Sequence, residues 1–225
     1  EAEIHNDMIP ESTVRILGLF AMAETPLGSD WSVAYGARID QFHTAASDST
    51  TFLEAQRGTA ANQDDFAWAA TATLSRALTR KTTWYSSIGS IARVPSGQER
   101  YLQLRRPGSM PHWLGNPDPR PARNTEWSTG LSFQSDSLSA EARLFHSWFH
   151  NRIYPGKLLP GDEPGLTKPA QSWFNIDARS WGAEGRLSWD FTDFLQWQAS
   201  LSWQEGTKDE RPPHATNDHL AEVPP

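Results

Sequence analysis

Apolar and polar side chains alternate with a strict period of two over long stretches, and this restricts the chain more than any other feature. In LQWQASLSW, Leu195, Trp197, Ala199, Leu201 and Trp203 oppose Gln196, Gln198, Ser200 and Ser202. In DWSVAYGARIDQF, Trp31, Val33, Tyr35, Ala37 and Ile39 share one face, and Ser32, Ala34, Gly36, Arg38 and Asp40 share the other. FAWAATATLSRAL sets Phe66, Trp68, Ala70, Ala72 and Leu74 against Ala67, Ala69, Thr71 and Thr73. Successive side chains of an extended chain point to opposite faces, whereas an amphipathic helix groups apolar residues three and four apart. The same counting predicts strands near 12–24, 29–43, 65–78, 82–94, 124–135, 137–154, 173–191 and 194–205, an all-β chain.

Most of these strands exceed the roughly five or six residues usual in soluble sheets. They match the roughly nine to eleven residues that carry a tilted strand across a bilayer. With 11 Trp and 10 Phe but only 37% hydrophobic residues, the apolar surface is spread thinly over one face of each strand. Both an outer-membrane barrel and a water-soluble β-protein fit that composition. No apolar run is long enough for a transmembrane helix. The absence of cysteine removes disulfides and thiolate metal sites. A net charge of −7 argues against nucleic acid as a partner.

The connections separate the two architectures. ETPLGSD, LTRKT, QSDS and DFTDF are short, and they alternate with long polar stretches near 44–64, 95–123, 155–172 and 205–220. Short turns at one end and long loops at the other characterise transmembrane barrels. Trp31, Phe66, Trp84, Phe191, Phe194 and Trp197 are expected beside the short turns, as an aromatic girdle at the lipid headgroups. Ala34, Gly36, Gly130, Gly182 and Gly185 are expected on the lumen face. Rows that small fill a narrow barrel poorly, and the chain opens without an initiating Met and without a visible signal peptide. The expectation is an antiparallel, up-and-down transmembrane segment of about eight strands from a larger barrel.

At this point the sequence resembles a known family. STVRILGLFAMAETPLGSDWSVAYGARIDQF is similar to the barrel hairpin of TonB-dependent outer-membrane receptors. IARVPSGQERY resembles their FRAP-S-x-x-E-x-Y box, with Ala92, Arg93, Val94 and Pro95 in altered order. GNPDPRPARNTEWSTGLSF resembles the box that opens the next strand, departing from it at Pro119, Ala122, Trp127 and Ser128. The resemblance implies a plugged barrel of about 22 strands, of which residues 1–225 form part of one barrel domain. It also implies a Gram-negative outer-membrane location beside lipid and lipopolysaccharide. TonB would act as the energy-transducing partner, through a plug that has no counterpart in these residues. In GNPDP, Gly115 is read as supplying torsional freedom, and Asn116 and Asp118 as capping nearby backbone N–H groups.

The stretch 95–123 holds the expected ligand contacts. From 93 to 123, six arginines face two acids in an otherwise acidic chain. That excess can steer an anionic metal complex such as a ferric siderophore or haem, or it can meet lipopolysaccharide phosphates. The expected ligand-binding residues are Arg100, Arg105, Arg106, Met110, His112 and Trp113. By resemblance to haem receptors, His112 is the candidate metal ligand, with Met110 and Trp113 beside it; a Met/His copper site is a further variant. The alternative for His112 is an ordinary loop histidine. His146 and His150 lie about 13 Å apart on a regular strand, too far to share a metal.

The chain is therefore expected to import a scarce metal complex, to hold no intrinsic cofactor and to catalyse no reaction. Two other classes stay open: a barrel enzyme of the phospholipase or omptin type, and a passive barrel or soluble β-sandwich. Asp218 and His219 are adjacent in sequence, which carries no geometric information, and no nucleophile elbow, phosphate loop or zinc motif is present.

Overall fold

Each long strand pairs antiparallel with the next long strand in the chain, so the faces read from the sequence line up across one sheet. The computed structural model describes residues 11–46 and 62–220. The elements are β1 (Ser12–Pro26), β2 (Trp31–Ala46), β3 (Asn62–Ala77), β4 (Thr82–Arg93), α1 (Gly97–Tyr101), β5 (Gln103–Leu104), β6 (His112–Leu114), β7 (Ala122–Gln134), β8 (Leu138–Leu158), β9 (Ala170–Thr192) and β10 (Leu195–Lys208). The ten-stranded sheet runs β1-β2-β3-β4-β7-β8-β9-β10, with β6 and then β5 added beside β9. All eight predicted strands are present, with ends displaced by at most four residues. The two short ones lie inside the stretch read as loop. No helix among the described residues is long and apolar enough to cross a membrane, which says nothing about crossing by strands.

Register converts alternation into two continuous surfaces. Leu19, Ile39 and Trp68 are successive neighbours on one face, as are Ile88, Trp127, His146 and Trp181. Large apolar side chains on this face stay exposed, among them Leu17, Leu144 and Leu201. The other face carries Ser, Thr, Gly and charge. There Arg143 bonds Glu126 and, at 3.3 Å, Glu184, while the Tyr85 hydroxyl donates to Glu141 at 2.8 Å. The apolar surface faces outward and the polar one faces the interior, as in a transmembrane barrel.

The outward tryptophans form two bands. Trp31 and Trp84 meet edge to face at 6.2 Å near the short turns, and Trp181 and Trp203 do so at 4.5 Å toward the other end. Trp181 and Trp189 are eight residues apart on β9, about 26 Å along the strand. With a tilt of about 40°, that separation approaches the roughly 25 Å apolar band of such barrels. Two expectations need correction. Phe66 pairs with Gln41 at the long-connection end of β3, so it does not belong to the short-turn girdle. Gly185 pairs with Ala142 and Leu201 on the outward face, not the lumen face. Gly182 is a lumen residue, and a Cβ there would meet the Phe145 ring at 2.6 Å. The missing side chain lets that ring lie against the wall.

A single sheet with an exposed apolar face buries little by itself. The buried clusters instead sit at the long-connection end: Leu114, Leu158, Leu166 and Ala170; Leu102, Ile153 and Trp173; Ile176, Ala178 and Leu220. A bulge also interrupts β8 here, between Phe149 and Arg152. Asn151 adopts a left-handed φ of 53°, which asparagine tolerates better than most residues. Its N–H donates to Asp177 at 2.8 Å and its carbonyl accepts from Asn175 at 2.7 Å.

The outward assignment predicts an asymmetry between adjacent residues. Leu201→Lys should destabilise the folded barrel in lipid vesicles by about 2–4 kcal/mol, while Ser202→Lys should cost about 1 kcal/mol or less. Urea titration of the two variants in vesicles checks it; equal losses would contradict the register.

Candidate functional site

The connection from β4 to β7 is a folded strap rather than an open loop. It begins with a capping box. The Ser96 Oγ accepts the Glu99 N–H at 3.2 Å, and the Glu99 carboxylate accepts the Ser96 N–H at 2.7 Å. The two oxygens of Glu99 also take both ends of the Arg93 guanidinium, at 2.8 and 2.9 Å. Burial alone would raise the Glu99 carboxyl, but Arg93 and Ser96 outweigh it and hold the group below its ordinary value. These contacts stabilise a helix too short to persist alone. The S-x-x-E spacing at 96–99 is the sequence signal that would have revealed α1.

From α1 the chain turns back through β5 and β6, which pair Gln103 with Leu114 and Leu104 with Trp113. β6 then pairs parallel with β9, His112 opposite Ala170. The His112 N–H donates to the Pro169 carbonyl at 3.0 Å, and Ser172 Oγ donates to the Leu114 carbonyl at 2.8 Å. Trp113 packs on Trp173 with ring centroids 5.5 Å apart. Lys168 Nζ donates to the Gly108 carbonyl at 3.0 Å, tying in the turn of the hairpin.

The two sequence boxes are stitched together. The Gly115 N–H donates to the Leu102 carbonyl at 2.6 Å, and the Asn116 N–H to the Glu99 carbonyl at 2.8 Å. Asn116 is buried; its amide donates to the Trp173 carbonyl at 2.7 Å and its Oδ1 caps the Asp118 N–H at 3.1 Å. The capping reading of Asn116 therefore holds. The reading of Gly115 does not, since it is absent from the glycines with positive φ. Close approach explains the glycine instead, because a Cβ would overlap the Arg100 carbonyl and sit 2.6 Å from the Leu102 nitrogen. Gly115→Ala should cost about 1–3 kcal/mol at this contact. Faster tryptic cleavage after Arg105 reports it; an unchanged rate would show that the stitch does not hold the strap.

The strap separates the six expected ligand residues. Arg100 is 1% exposed and donates to Asp65 at 2.6 Å, so it fastens α1 to β3 and presents no charge at the surface. Arg105 and Met110 are exposed, whereas Arg106, His112 and Trp113 are half-buried. His112 Nδ1 accepts the Arg106 backbone N–H at 3.0 Å. A backbone N–H can only donate, so the neutral ring carries its proton on Nε2. Nε2 is then a donor, and metal ligation there would require the ring to give up Arg106.

Burial, then Lys168 and Arg105, lower the His112 pKa below its ordinary value. A histidine depressed in the folded state costs stability as pH falls below its unfolded pKa of about 6.5. The protection of the Arg106 amide, its exchange measured against the intrinsic rate at each pH, should therefore fall below about pH 6.5. His112→Asn keeps an acceptor without a titrating ring and should abolish that pH dependence; a persisting dependence would exclude His112 as its source.

The other histidines do not converge. His146 packs on Trp148 at 4.3 Å and His150 bonds Asp177 at 2.8 Å. His219 bridges to Thr207, while Asp218 is paired with Arg211. Among the described residues no group of three or more His, Asp or Glu side chains is arranged to hold a metal ion.

An outward apolar face, a polar inner wall, aromatic bands and a folded strap at one end define a segment of a transmembrane β-barrel. The sequence profile described as "TonB dependent receptor-like, beta-barrel" matches residues 4–225, and the chain belongs to that family. Its fold is similar to "Copper transporter OprC", at 20% identity and a TM-score of 0.68, over 88% of this chain and 30% of that one. It is similar to the siderophore receptor PirA from Pseudomonas aeruginosa, at 17% identity and a TM-score of 0.60, over 88% and 44%. The FrpB iron transporter from Neisseria meningitidis (F3-3 variant) is 12% identical with a TM-score of 0.59, over 91% and 27%. This chain thus spans less than half of each of these structures. No curated protein sequence matches it.

Proposed function

We propose that this chain forms part of the wall and mouth of a receptor that captures a scarce metal complex and imports it across a Gram-negative outer membrane. The observation that carries this reading is the strap, a basic segment built onto the mouth end of the sheet. Three similar structures are named as a copper transporter, a siderophore receptor and an iron transporter, which supports a metal as cargo. Family membership supports TonB as the partner that supplies energy. Lipid and lipopolysaccharide would contact the outward face. No bond is made or broken in such uptake, so the protein acts as a transporter and not as an enzyme.

Within the strap, Arg105 and Arg106 would attract an anionic complex, while Met110 and Trp113 offer apolar contact. His112 would donate from Nε2 to an oxygen of the ligand. That role suits a ferric siderophore, whose oxygens accept hydrogen bonds, better than haem ligation, which requires a free nitrogen lone pair. Direct capture of a copper ion would rest on Met110 and would need a second donor.

Uptake of radiolabelled iron complexes by cells relying on this receptor tests the reading. Accumulation should stop when TonB is deleted. It should fall several-fold in Arg105→Ala/Arg106→Ala, more at low salt than at high salt. TonB-independent accumulation would refute the transport reading. A Soret shift on haem titration that is lost in His112→Ala would replace the siderophore reading with haem.

A further inference from the structure

The outward face carries basic side chains just beyond its mouth-end tryptophans, and several of them already hold an acid. His43 bonds Asp64 at 2.8 Å, and His150 bonds Asp177 at 2.8 Å. Arg179 gives its Nε and Nη2 together to one oxygen of Asp209, at 2.8 and 2.6 Å. Arg123 belongs to the same layer. It pairs directly across from His150 and stands four residues nearer the strap than Trp127, on the same face of β7. That is about 13 Å along the strand, or about 10 Å of height at a tilt of about 40°.

Arg123 has no such acid. Its guanidinium reaches over β4, and the central carbon lies 3.6 Å from the centroid of the Trp68 ring. Nη1 donates to the Ser90 hydroxyl at 3.0 Å and to the Trp68 carbonyl at 3.3 Å. Ring and hydroxyl together fix the plane of the group. Its Nε and Nη2 have no hydrogen-bond partner among the described residues, and neither is sealed from the surface. These two nitrogens form the side-on fork that Arg179 fills with Asp209.

An uncompensated charge at the border of an apolar belt is costly, and two features define what would compensate it. The fork matches the oxygens of a carboxylate or a phosphate. Its height is the level of the lipid headgroups at the long-connection end, which faces outside in such barrels. There the outer leaflet offers the phosphates on the sugar headgroup of lipopolysaccharide, and basic side chains at this level recognise anionic lipid.

We propose that the open fork of Arg123 binds a phosphate of lipopolysaccharide on the outward face, with Trp68 as its floor. The proposal rests on the outer-membrane part of the reading above and is independent of the cargo. Arg123 then serves the lipid, whereas Arg105 and Arg106 serve the mouth. Arg76 makes the matching contact at the opposite border, 5.0 Å over Trp31 beside the short turns, where the inner leaflet offers phospholipid.

The test is titration of the purified full-length receptor in mild detergent with phosphorylated lipid A, dephosphorylated lipid A and phosphatidylglycerol, read by native mass spectrometry. Phosphorylated lipid A should bind about tenfold tighter than its dephosphorylated form, as expected for one charge-assisted contact. Arg123→Gln should erase most of that preference, and Arg76→Gln should keep it. Arg123→Lys, which retains the charge without the fork, should keep only part of it. All variants should show the wild-type heat-modified gel mobility. Equal binding of the two forms of lipid A by the wild type overturns the proposal. So does an Arg123→Gln variant, folded like the wild type, that keeps the full preference. An equal loss of phosphatidylglycerol binding in Arg123→Gln overturns the assignment to lipopolysaccharide. Phosphate-dependent binding by a receptor that imports no metal complex supports the site and refutes the transport reading. TonB-dependent import without any phosphate preference does the reverse.

Discussion

Every backbone N–H and C=O in a membrane-spanning strand must find its partner in a neighbouring strand, because lipid offers none. The continuous antiparallel ladder from β1 to β10 meets that demand for the long strands between those two, and most other features of the structure depend on it. Once the ladder fixes register, alternation in single strands becomes alternation of whole surfaces. Ile88, Trp127, His146 and Trp181 come from four strands yet form one row. A slip of one residue in any of these four strands would turn its member of the row to the inner face.

That organisation leaves little hydrophobic burial inside the wall. The compact part of the molecule lies at the end where β8 and β9 run beyond β7 and β10 and support the strap. Arg100 and Asp65 hold one side of the strap, β6 and β9 hold the middle, and Asn116 holds its return to β7. Rigid support matters for a ligand site because residues positioned beforehand lose less entropy on binding. The same end contains the β8 bulge, so the strap and the bulge share one extension of the sheet.

Much of the wall was legible because its physics is local. Trp197, Ala199, Leu201 and Trp203 needed only their own spacing to be placed on one face. The short turns needed only their length. Errors arose where a residue had to be assigned to a face or an end from a distance. Gly182 and Gly185 differ by an odd number of positions and cannot share a face of a regular strand. Phe66 opens β3 and so lies at the end opposite the β3–β4 turn. In the strap, charge was a poor guide to exposure. Arg100 and Arg105 look equivalent in sequence, yet one is buried against Asp65 and the other is exposed.

The sequence by itself determined the fold class, the strand positions and the family, because period-two alternation and motif spacing are carried by neighbouring residues. Only the tertiary structure decided why position 115 is glycine, which nitrogen of His112 holds the proton and which way Arg152 points. Each of these depends on a group distant in space or sequence, or on strand pairing: the Arg100–Leu102 backbone, the Arg106 N–H, and the extra residue of β8 measured against β9. Periodicity describes a chain one strand at a time, whereas close approach, tautomer and bulge are properties of pairs.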